Sequence, residues 1–488
     1  MATGSVPATQ APASTVTTKQ PEGKLGLTLL VALVVGALIG SGIFGLPQNM
    51  AAGAGAGAIL IGWLITGVGM LMLALVYQMI ALRKPDLNNG VYAYARATSG
   101  DYVGFNSAWG YWVSAWVGNV GYLVAAFSAL GYFFPSFGEG NTTPGIIAAS
   151  VVLWVVHGLV LRGIKAAMVL NALVTLAKIV PLLLFIILVA LAFNLETYSL
   201  NFWGTASLGS VLDQVKSTML VTVWVFIGIE GASVYSARAK RREDVGRATI
   251  AGFVITLLLL MAVSLLSLGV LSQPELAGLK NPSMAGVLDK AVGWWGGVLI
   301  YVGLIVSVVG GFLAWTLLAA ESLFTPATDG VMPKGLAKLN SRGVPANAMW
   351  LTSIMVQLFL LLTLVSKASY LALISLSTAM ILLPYLLSAI YGLVLALRRE
   401  GAPGTLHQLD LPVTLLATIY CAWLLYAAGP KYMFLSSLLY APGALVFVMA
   451  KREQGARIFR SFEWAIFLAL AVLAILAAYL LTTGRLGL

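Results

Sequence analysis

The sequence has very little charge. Of its 488 residues, 9% are Asp, Glu, Lys or Arg, whereas soluble domains carry about 25%. Hydrophobic residues make up 60% of the chain. This composition excludes an ordinary soluble globular protein and favours a chain that lies largely within a lipid bilayer.

Cysteine and histidine are also scarce. The single cysteine, Cys421, cannot form an intrachain disulfide, and one cysteine with two histidines argues against a dedicated zinc site. An intramembrane enzyme would need a nucleophile with a base, or a set of metal ligands. His157 is isolated in an apolar run and His407 lies in a polar segment. We therefore expect no metal, no cofactor and no enzymatic activity.

Long apolar runs dominate what remains. A membrane-spanning helix needs about 20 mostly apolar residues. We predict an all-α polytopic membrane protein with thirteen spans, at residues 25–50, 56–82, 102–134, 144–161, 167–194, 217–237, 247–272, 293–322, 346–366, 369–397, 411–428, 432–450 and 463–483.

The basic excess follows the loops between these spans. A net charge of +11 could indicate nucleic acid as a partner. However, most of the 28 Lys and Arg residues fall in alternate loops, as the positive-inside rule requires of cytoplasmic loops. We therefore expect a multi-pass protein with a cytoplasmic N-terminus, a lipid bilayer as its surroundings, and no nucleic acid partner. Residues 1–24, rich in Ser, Thr, Pro and Ala, are expected to be a disordered cytoplasmic tail.

Glu230 is a carboxylate inside the sixth predicted span. On insertion scales, a carboxylate at the centre of a bilayer costs about 2.5–3.5 kcal/mol. It persists where it faces a partner, a substrate or a water-filled cavity. Gly228 and Gly231 flank it, and glycine lowers the cost of unwinding a helix. An ion or substrate site at a broken helix is the resulting hypothesis.

The first span carries a similar interruption, Gly40-Ser41-Gly42. Such glycines can also serve only as a close packing face between helices. If helices 1–5 and 6–10 form two repeats, spans one and six occupy equivalent positions. Because five is odd, the second repeat is inverted. Paired broken helices in inverted repeats are typical of a transporter site near the bilayer midplane.

The motifs at both interruptions resemble a known family. Residues 35–47 (VGALIGSGIFGLP) resemble the first-helix signature of the amino acid–polyamine–organocation transporters. Residues 224–230 (WVFIGIE) followed by Arg238-Ala-Lys240 are similar to its sixth helix and the basic loop after it. Together with the Trp315 region and Asp329-Gly, the resemblance covers most of residues 25–400. Within the family, residues 106–119 are most similar to the basic amino acid antiporters, in particular those for arginine and ornithine.

This resemblance implies a fold and an assembly. Family members have the LeuT-type fold of two five-helix inverted repeats with helices 1 and 6 broken, usually twelve spans, and are often homodimers. Residues 25–400 would form the transport core, and residues 401–488 would add further transmembrane helices. A thirteenth span departs from the usual count, although arginine/ornithine antiporters are similar in this respect. The expected location is a bacterial inner membrane.

The resemblance also assigns residues to the two ends of an amino acid. The unwound first helix would bind the substrate α-carboxylate through backbone N–H groups, helped by the dipole of a half-helix. On the sixth span, free carbonyls would accept hydrogen bonds from the α-ammonium group. The residues concerned are Ile39, Gly40, Ser41, Gly42 and Ile43 on the first span, and Trp224, Phe226 and Ile227 on the sixth.

Aromatic residues would hold the cationic side chain of the substrate. By resemblance, Trp224 and Trp315 stack on it, Tyr111 acts as a gate and Asn119 contacts it. A desolvated cation–π contact is worth up to about 2 kcal/mol. Trp224 could instead be a packing or lipid-facing residue, and Asn119 could equally link two helices.

Two buried charges complete the candidate site. Glu230 matches a glutamate implicated in proton sensing or gating. Lys178, in the fifth span, resembles a lysine that replaces a bound sodium ion in proton-coupled members, and it would either carry a proton or act as a static counter-ion. Ala37 stands where arginine/agmatine antiporters have Asn, which favours another pair of basic substrates.

The sequence therefore predicts a secondary transporter that exchanges cationic amino acids, most simply arginine for ornithine, by alternating access. Lysine belongs to the same substrate class. The alternative is proton-coupled uptake of one basic or other amino acid, with Lys178 and Glu230 as the proton carriers.

Overall fold

The protein is built from α-helices. The computed structural model describes residues 26–87, 90–162, 165–230, 242–366, 368–401, 404 and 406–487. Within these ranges the regular structure is helical, apart from one isolated bridge between Leu339 and Pro345. The all-helical class predicted from the sequence is confirmed.

The helices follow the apolar runs, because a backbone that lies in lipid must satisfy its polar groups internally. Their bounds are α1 Leu27–Leu38, α2 Leu46–Ala51, α3 Ala56–Arg83, α4 Gly90–Ser99, α5 Asp101–Phe133, α6 Thr143–Leu161, α7 Lys165–Leu191, α8 Leu195–Leu200, α9 Val211–Trp224, α10 Arg242–Ser267, α11 Gln273–Ala277, α12 Ser283–Val292, α13 Trp294–Thr328, α14 Ala346–Ser366, α15 Tyr370–Arg398, α16 Asp410–Glu453 and α17 Ser461–Thr482.

Nine helices in the described ranges are long and apolar enough to cross a membrane, or ten if the bent pair near the N-terminus counts as one span. The predicted spans at 411–428 and 432–450 are the two arms of α16, which breaks at Gly429, where φ is 74°. The sixth predicted span runs on into residues 231–237, which lie outside the described ranges. The multi-pass character is thus confirmed, and the count of thirteen stays a prediction.

The first span is broken as predicted. Helix α1 ends at Leu38, Ile39 and Gly40 are extended, and a 3₁₀ helix over Ser41–Gly45 leads into α2. The two halves are bent by 53° relative to each other. The break therefore places the backbone of Ile39, Gly40 and Ser41 outside a regular α-helix, in the interior of the protein.

The α-helix of the sixth predicted span also stops inside that span. Helix α9 ends at Trp224, and residues 225–230, which we call the second break, form tight turns instead of an α-helix. The part of the span that would resume the helix lies outside the described ranges, so a broken sixth helix stays a prediction. Gly228 has a φ of 108°, a conformation that glycine adopts without the steric cost of a side chain. Gly231 and the basic residues Arg238 and Lys240 lie outside the described ranges.

Helix α5 is the centre of the protein. In the most apolar stretch of α5, 89% of the residues are buried, whereas in that of α17, at the periphery, 11% are buried. It packs against α13 and α15, and also contacts α6, α14 and α16. Side chains on several faces of α5 are therefore held inside the protein, and this helix supplies much of the site described next.

Candidate functional site

The unwound part of the first span lies directly against the end of α9. A Cβ atom added to Gly42 would come within 2.6 Å of Nε1 of Trp224, closer than real Cβ contacts come. Ile39, Ser41 and Ile43 are buried beside it. Only glycine therefore allows the indole of Trp224 to approach the backbone of the break, and the structure brings the two predicted interruptions together.

Three residues of α5 face this region. Tyr111, Asn119 and Tyr122 are spaced eight and three positions apart, so they lie on one side of the helix. The rings of Tyr122 and Trp224 are 5.8 Å apart, and those of Tyr111 and Trp315 are 6.4 Å apart. The Tyr122 hydroxyl also lies beside the side chain of Trp315. The aromatic residues predicted to surround a cation are thus neighbours, with Tyr122 between two of them.

Trp224 is 8% exposed, so it does not face lipid. Trp315 is half-buried. Phe226 occupies a different position, because its ring packs against Trp63 at 6.4 Å and Phe253 at 4.9 Å. Its side chain anchors the break to α3 and α10 and is not part of the Trp224 cluster. Ile227 is buried in the same turn.

Turn hydrogen bonds occupy some carbonyls of the second break. Trp224 O accepts from the N–H of Ile227 at 3.3 Å, and Phe226 O accepts from the N–H of Ile229 at 3.1 Å. The carbonyls of Trp224 and Phe226 are therefore less available to an ammonium group than they would be in a fully unwound stretch.

Glu230 ties the second break to two other helices. Its carboxylate accepts hydrogen bonds from the hydroxyls of Tyr111 on α5 at 2.6 Å and Tyr385 on α15 at 2.7 Å. It also accepts one from the N–H of Gly228 at 3.2 Å. The two phenol distances are in the range of charge-assisted O–H···O⁻ bonds. We call Glu230, Tyr111 and Tyr385 the carboxylate latch.

Asn119 is fully buried and links two helices. Its Nδ2 donates to Oγ1 of Thr316 on α13 at 3.0 Å, and Thr316 in turn donates to Phe312 O. The interhelical role that the sequence left open is therefore found. Its Oδ1 has no hydrogen-bond partner in the described part of the chain, so a second contact of Asn119 with a substrate stays a prediction.

Lys178 connects α7 to the first break. Its side chain is buried, and Nζ donates to Gly36 O, in the last turn of α1, at 2.8 Å. The final carbonyls of a helix carry partial negative charge, which favours a cation there. The contact matches the static role considered from the sequence, and whether Lys178 also carries a proton stays a prediction.

Within the described residues, further polar atoms around the first break lack hydrogen-bond partners. The Ser41 hydroxyl, 3% exposed, lies beside Tyr122 but makes no hydrogen bond of normal geometry within the described residues. The same holds for the Tyr370 hydroxyl, whose ring lies against Gly45 and beside Trp224. A buried polar group left unsatisfied costs about 1–3 kcal/mol. With Asn119 Oδ1, these atoms mark a place where a polar ligand would be stabilised.

Sequence reasoning missed several of these residues. Tyr122 could have been found, since it follows Asn119 by one helical turn. Ser377 lies beside Gly118 and Trp224, and Tyr385 binds Glu230, but both come from α15, where no sequence motif singled them out. Within the described ranges, no group of three His, Cys, Asp or Glu side chains is placed to hold a metal ion.

Residues 25–430 match the family described as "Amino acid permease". An arginine/ornithine antiporter of Pseudomonas aeruginosa is 54% identical over 475 residues, which cover 95% of this chain and 98% of that protein. An L-lysine transport protein of Corynebacterium glutamicum is 44% identical over 482 residues, with 95% and 96% covered. An arginine/agmatine antiporter of Chlamydia felis is 43% identical over 476 residues, with 95% and 98% covered.

Proposed function

The chain belongs to the amino acid permease family, and from that premise we propose that it exchanges arginine for ornithine across a bacterial inner membrane. As a permease it is a transporter and not an enzyme. The gradient of one amino acid drives movement of the other, so the exchange needs no cofactor. The observation that carries the proposal is that the break after α1 lies against the end of α9, among buried aromatic groups and polar atoms that lack a hydrogen-bond partner within the described residues.

The two breaks support an inverted-repeat core. They fall in the first and sixth predicted spans, the positions that two five-helix repeats of opposite orientation bring together at the midplane. We propose residues 25–400 as this core, with α16 and α17 as additional helices and the N-terminus in the cytoplasm. A homodimer is the assembly that the family resemblance suggests.

The substrate would lie across the breaks. Its α-carboxylate would be held by the Ser41 hydroxyl and the backbone of Gly40 and Gly42. Its α-ammonium would donate to carbonyls of the turn after Trp224. Since the buried Ser41 Oγ has no hydrogen-bond partner among the described residues, a carboxylate there gains a charge-assisted hydrogen bond and removes the cost of an unsatisfied polar group.

The cationic side chain would lie among aromatic faces. Tyr111 lies against Trp315, and Tyr122 contacts both Trp315 and Trp224, so these aromatic groups would border one guanidinium or ammonium group. A desolvated cation–π contact contributes up to about 2 kcal/mol. Asn119 Oδ1 adds an acceptor. In this arrangement aromatic faces and an amide oxygen would bind the cation, so arginine, ornithine and lysine all suit the site.

The carboxylate latch would couple binding to gating. Tyr111 belongs to the latch through Glu230 and to the aromatic cluster through Trp315. A substrate that repositions Trp315 would therefore disturb the latch that joins α5, α9 and α15. Protonation of Glu230 would weaken the same latch, which is how a proton could affect exchange.

The test is uptake into liposomes that contain purified protein. Vesicles loaded with ornithine should take up labelled arginine, and empty vesicles should not. Equal uptake into empty vesicles contradicts exchange. A pH gradient imposed on empty vesicles tests the alternative, proton-coupled uptake, in which Lys178 and Glu230 would carry the proton. Competition by ornithine, lysine, agmatine, histidine and putrescine then defines the substrate pair.

A further inference from the structure

Tyr122, on α5, contacts several segments around the first break. Its ring is 5.8 Å from that of Trp224, and its hydroxyl lies beside the side chains of Ser41 and Trp315. A Cβ on Gly40 would come 3.6 Å from the hydroxyl oxygen, and one on Gly311 would come 3.4 Å from the ring. Tyr122 therefore reaches the unwound first span, the second break and α13 at once.

The surroundings of Tyr122 argue that it does more than fill space. Tyr122 is 5% exposed, and its hydroxyl lies at the same backbone break as Ser41. The Ser41 hydroxyl makes no hydrogen bond of normal geometry within the described residues. Two hydroxyl groups at one unwound backbone segment can both donate to one carboxylate. A phenylalanine would pack equally well against Trp224 but would lose this donor.

We propose that Tyr122 is a further substrate-contacting residue, whose hydroxyl donates a hydrogen bond to the α-carboxylate beside Ser41 and selects amino acids over amines that lack a carboxylate. The proposal rests on the proposed exchange of basic amino acids. It adds a residue and a specificity rule, because the aromatic faces bind the cationic end of arginine and of a decarboxylated analogue equally well. Discrimination must then arise at the carboxylate end, where Tyr122 and Ser41 lie.

The contrast between the hydroxyl and the ring makes the proposal testable. Tyr122→Phe removes the hydroxyl and keeps the ring against Trp224. Tyr122→Leu removes both. Tyr132→Phe is the matched control, since Tyr132 lies on the same helix, is 47% exposed and stacks on Tyr301 away from the break.

The experiment measures how strongly two unlabelled ligands inhibit the exchange of labelled arginine in ornithine-loaded liposomes. One ligand is arginine, and the other is L-argininamide, in which a neutral carboxamide replaces the carboxylate while the ammonium and guanidinium groups remain. In the unmodified protein, arginine should bind more tightly than the amide. Loss of one hydrogen bond to a charged group predicts that Tyr122→Phe weakens arginine binding about tenfold, whereas the amide, whose carbonyl oxygen accepts only a weaker neutral hydrogen bond, should be weakened by a smaller factor. Tyr122→Leu should weaken both, and Tyr132→Phe should change neither.

Three outcomes would overturn the proposal: no preference for arginine over the amide in the unmodified protein, an equal loss for both ligands in Tyr122→Phe, or unchanged affinity for both. Size-exclusion chromatography in detergent shows whether each variant is folded, and the near-isosteric Phe variant keeps the test available if Leu fails. Failure of the unmodified protein to take up arginine in exchange for ornithine would instead refute the proposed function. The two failures are therefore distinguishable.

Discussion

Replacing Glu230 by Gln should make exchange leaky, with a leak that is the same at every pH. In the carboxylate latch, two phenol hydroxyls 2.6 and 2.7 Å from the Glu230 oxygens donate to a negative charge. A glutamine has one carbonyl oxygen, which can accept from the hydroxyl of Tyr111 or of Tyr385, while its amide nitrogen faces the other hydroxyl and can only donate to it. The amide also lacks the charge that strengthens the remaining bond.

The size of the expected leak follows from the loss of a charge-assisted hydrogen bond to the Glu230 carboxylate. A hydrogen bond to a charged group contributes about 1.5–3 kcal/mol. If the latch holds the site closed, its loss shifts the balance between closed and open states by roughly 10- to 100-fold. We therefore expect efflux of labelled arginine into substrate-free buffer to rise by at least roughly tenfold relative to exchange. In the unmodified protein, this leak should rise on acidification, because protonated Glu230 also loses its charge. In Glu230→Gln it should be high at every pH.

The assay compares efflux with and without external ornithine from arginine-loaded liposomes, over a series of pH values. Tyr385→Phe is the matched variant, since it removes one donor and leaves the carboxylate, so its leak should be intermediate and still pH-dependent. If Glu230→Gln keeps the low leak and the pH profile of the unmodified protein, Glu230 does not act as a latch and the reasoning is refuted.

Three further predictions test other contacts. Gly42→Ala places a Cβ against the Trp224 indole, an overpacking that costs about 1–3 kcal/mol, so exchange should be lost. The control Gly158→Ala, whose Cβ would have nothing within 4 Å, should exchange normally. Normal transport by Gly42→Ala would argue against the close approach. Lys178→Gln should keep much of the exchange by donating to the last turn of α1, whereas Lys178→Met should lose it. If both variants lose exchange equally, and a pH gradient drives uptake by the unmodified protein, the results would favour proton transfer by Lys178. Trp224→Leu and Trp315→Leu should each weaken arginine binding roughly tenfold by removing a cation–π contact, as measured by competition, and unchanged affinity would place that residue outside the site.

Several parts of the site were predictable because they are local in sequence. The breaks at Gly40-Ser41-Gly42 and after Trp224 depend on glycines within apolar runs, and glycine tolerates the backbone that a break requires. The cost of a carboxylate in lipid made Glu230 a candidate before any contact was known.

Other parts could not be predicted, because they depend on contacts between distant segments. Glu230 meets Tyr111 across 119 positions and Tyr385 across 155 positions of the chain. Tyr385 and Ser377 are ordinary polar residues within α15, and only the packing of α15 against α5 gives them a role. Phe226 shows the converse, since its place in the motif suggested a site residue and its ring packs against α3 and α10 instead.

By itself, the sequence determined the helical class, the approximate limits of the apolar helices and the two points where helices break. These properties follow from the thickness of the bilayer, the need of every backbone group for a hydrogen bond, and the conformations open to glycine. Only the tertiary structure decided which helix faces meet. It placed Trp224 on the backbone of Gly42, Tyr122 beside Ser41 and two phenols on Glu230, because contacts between distant helices depend on how all of their side chains pack together.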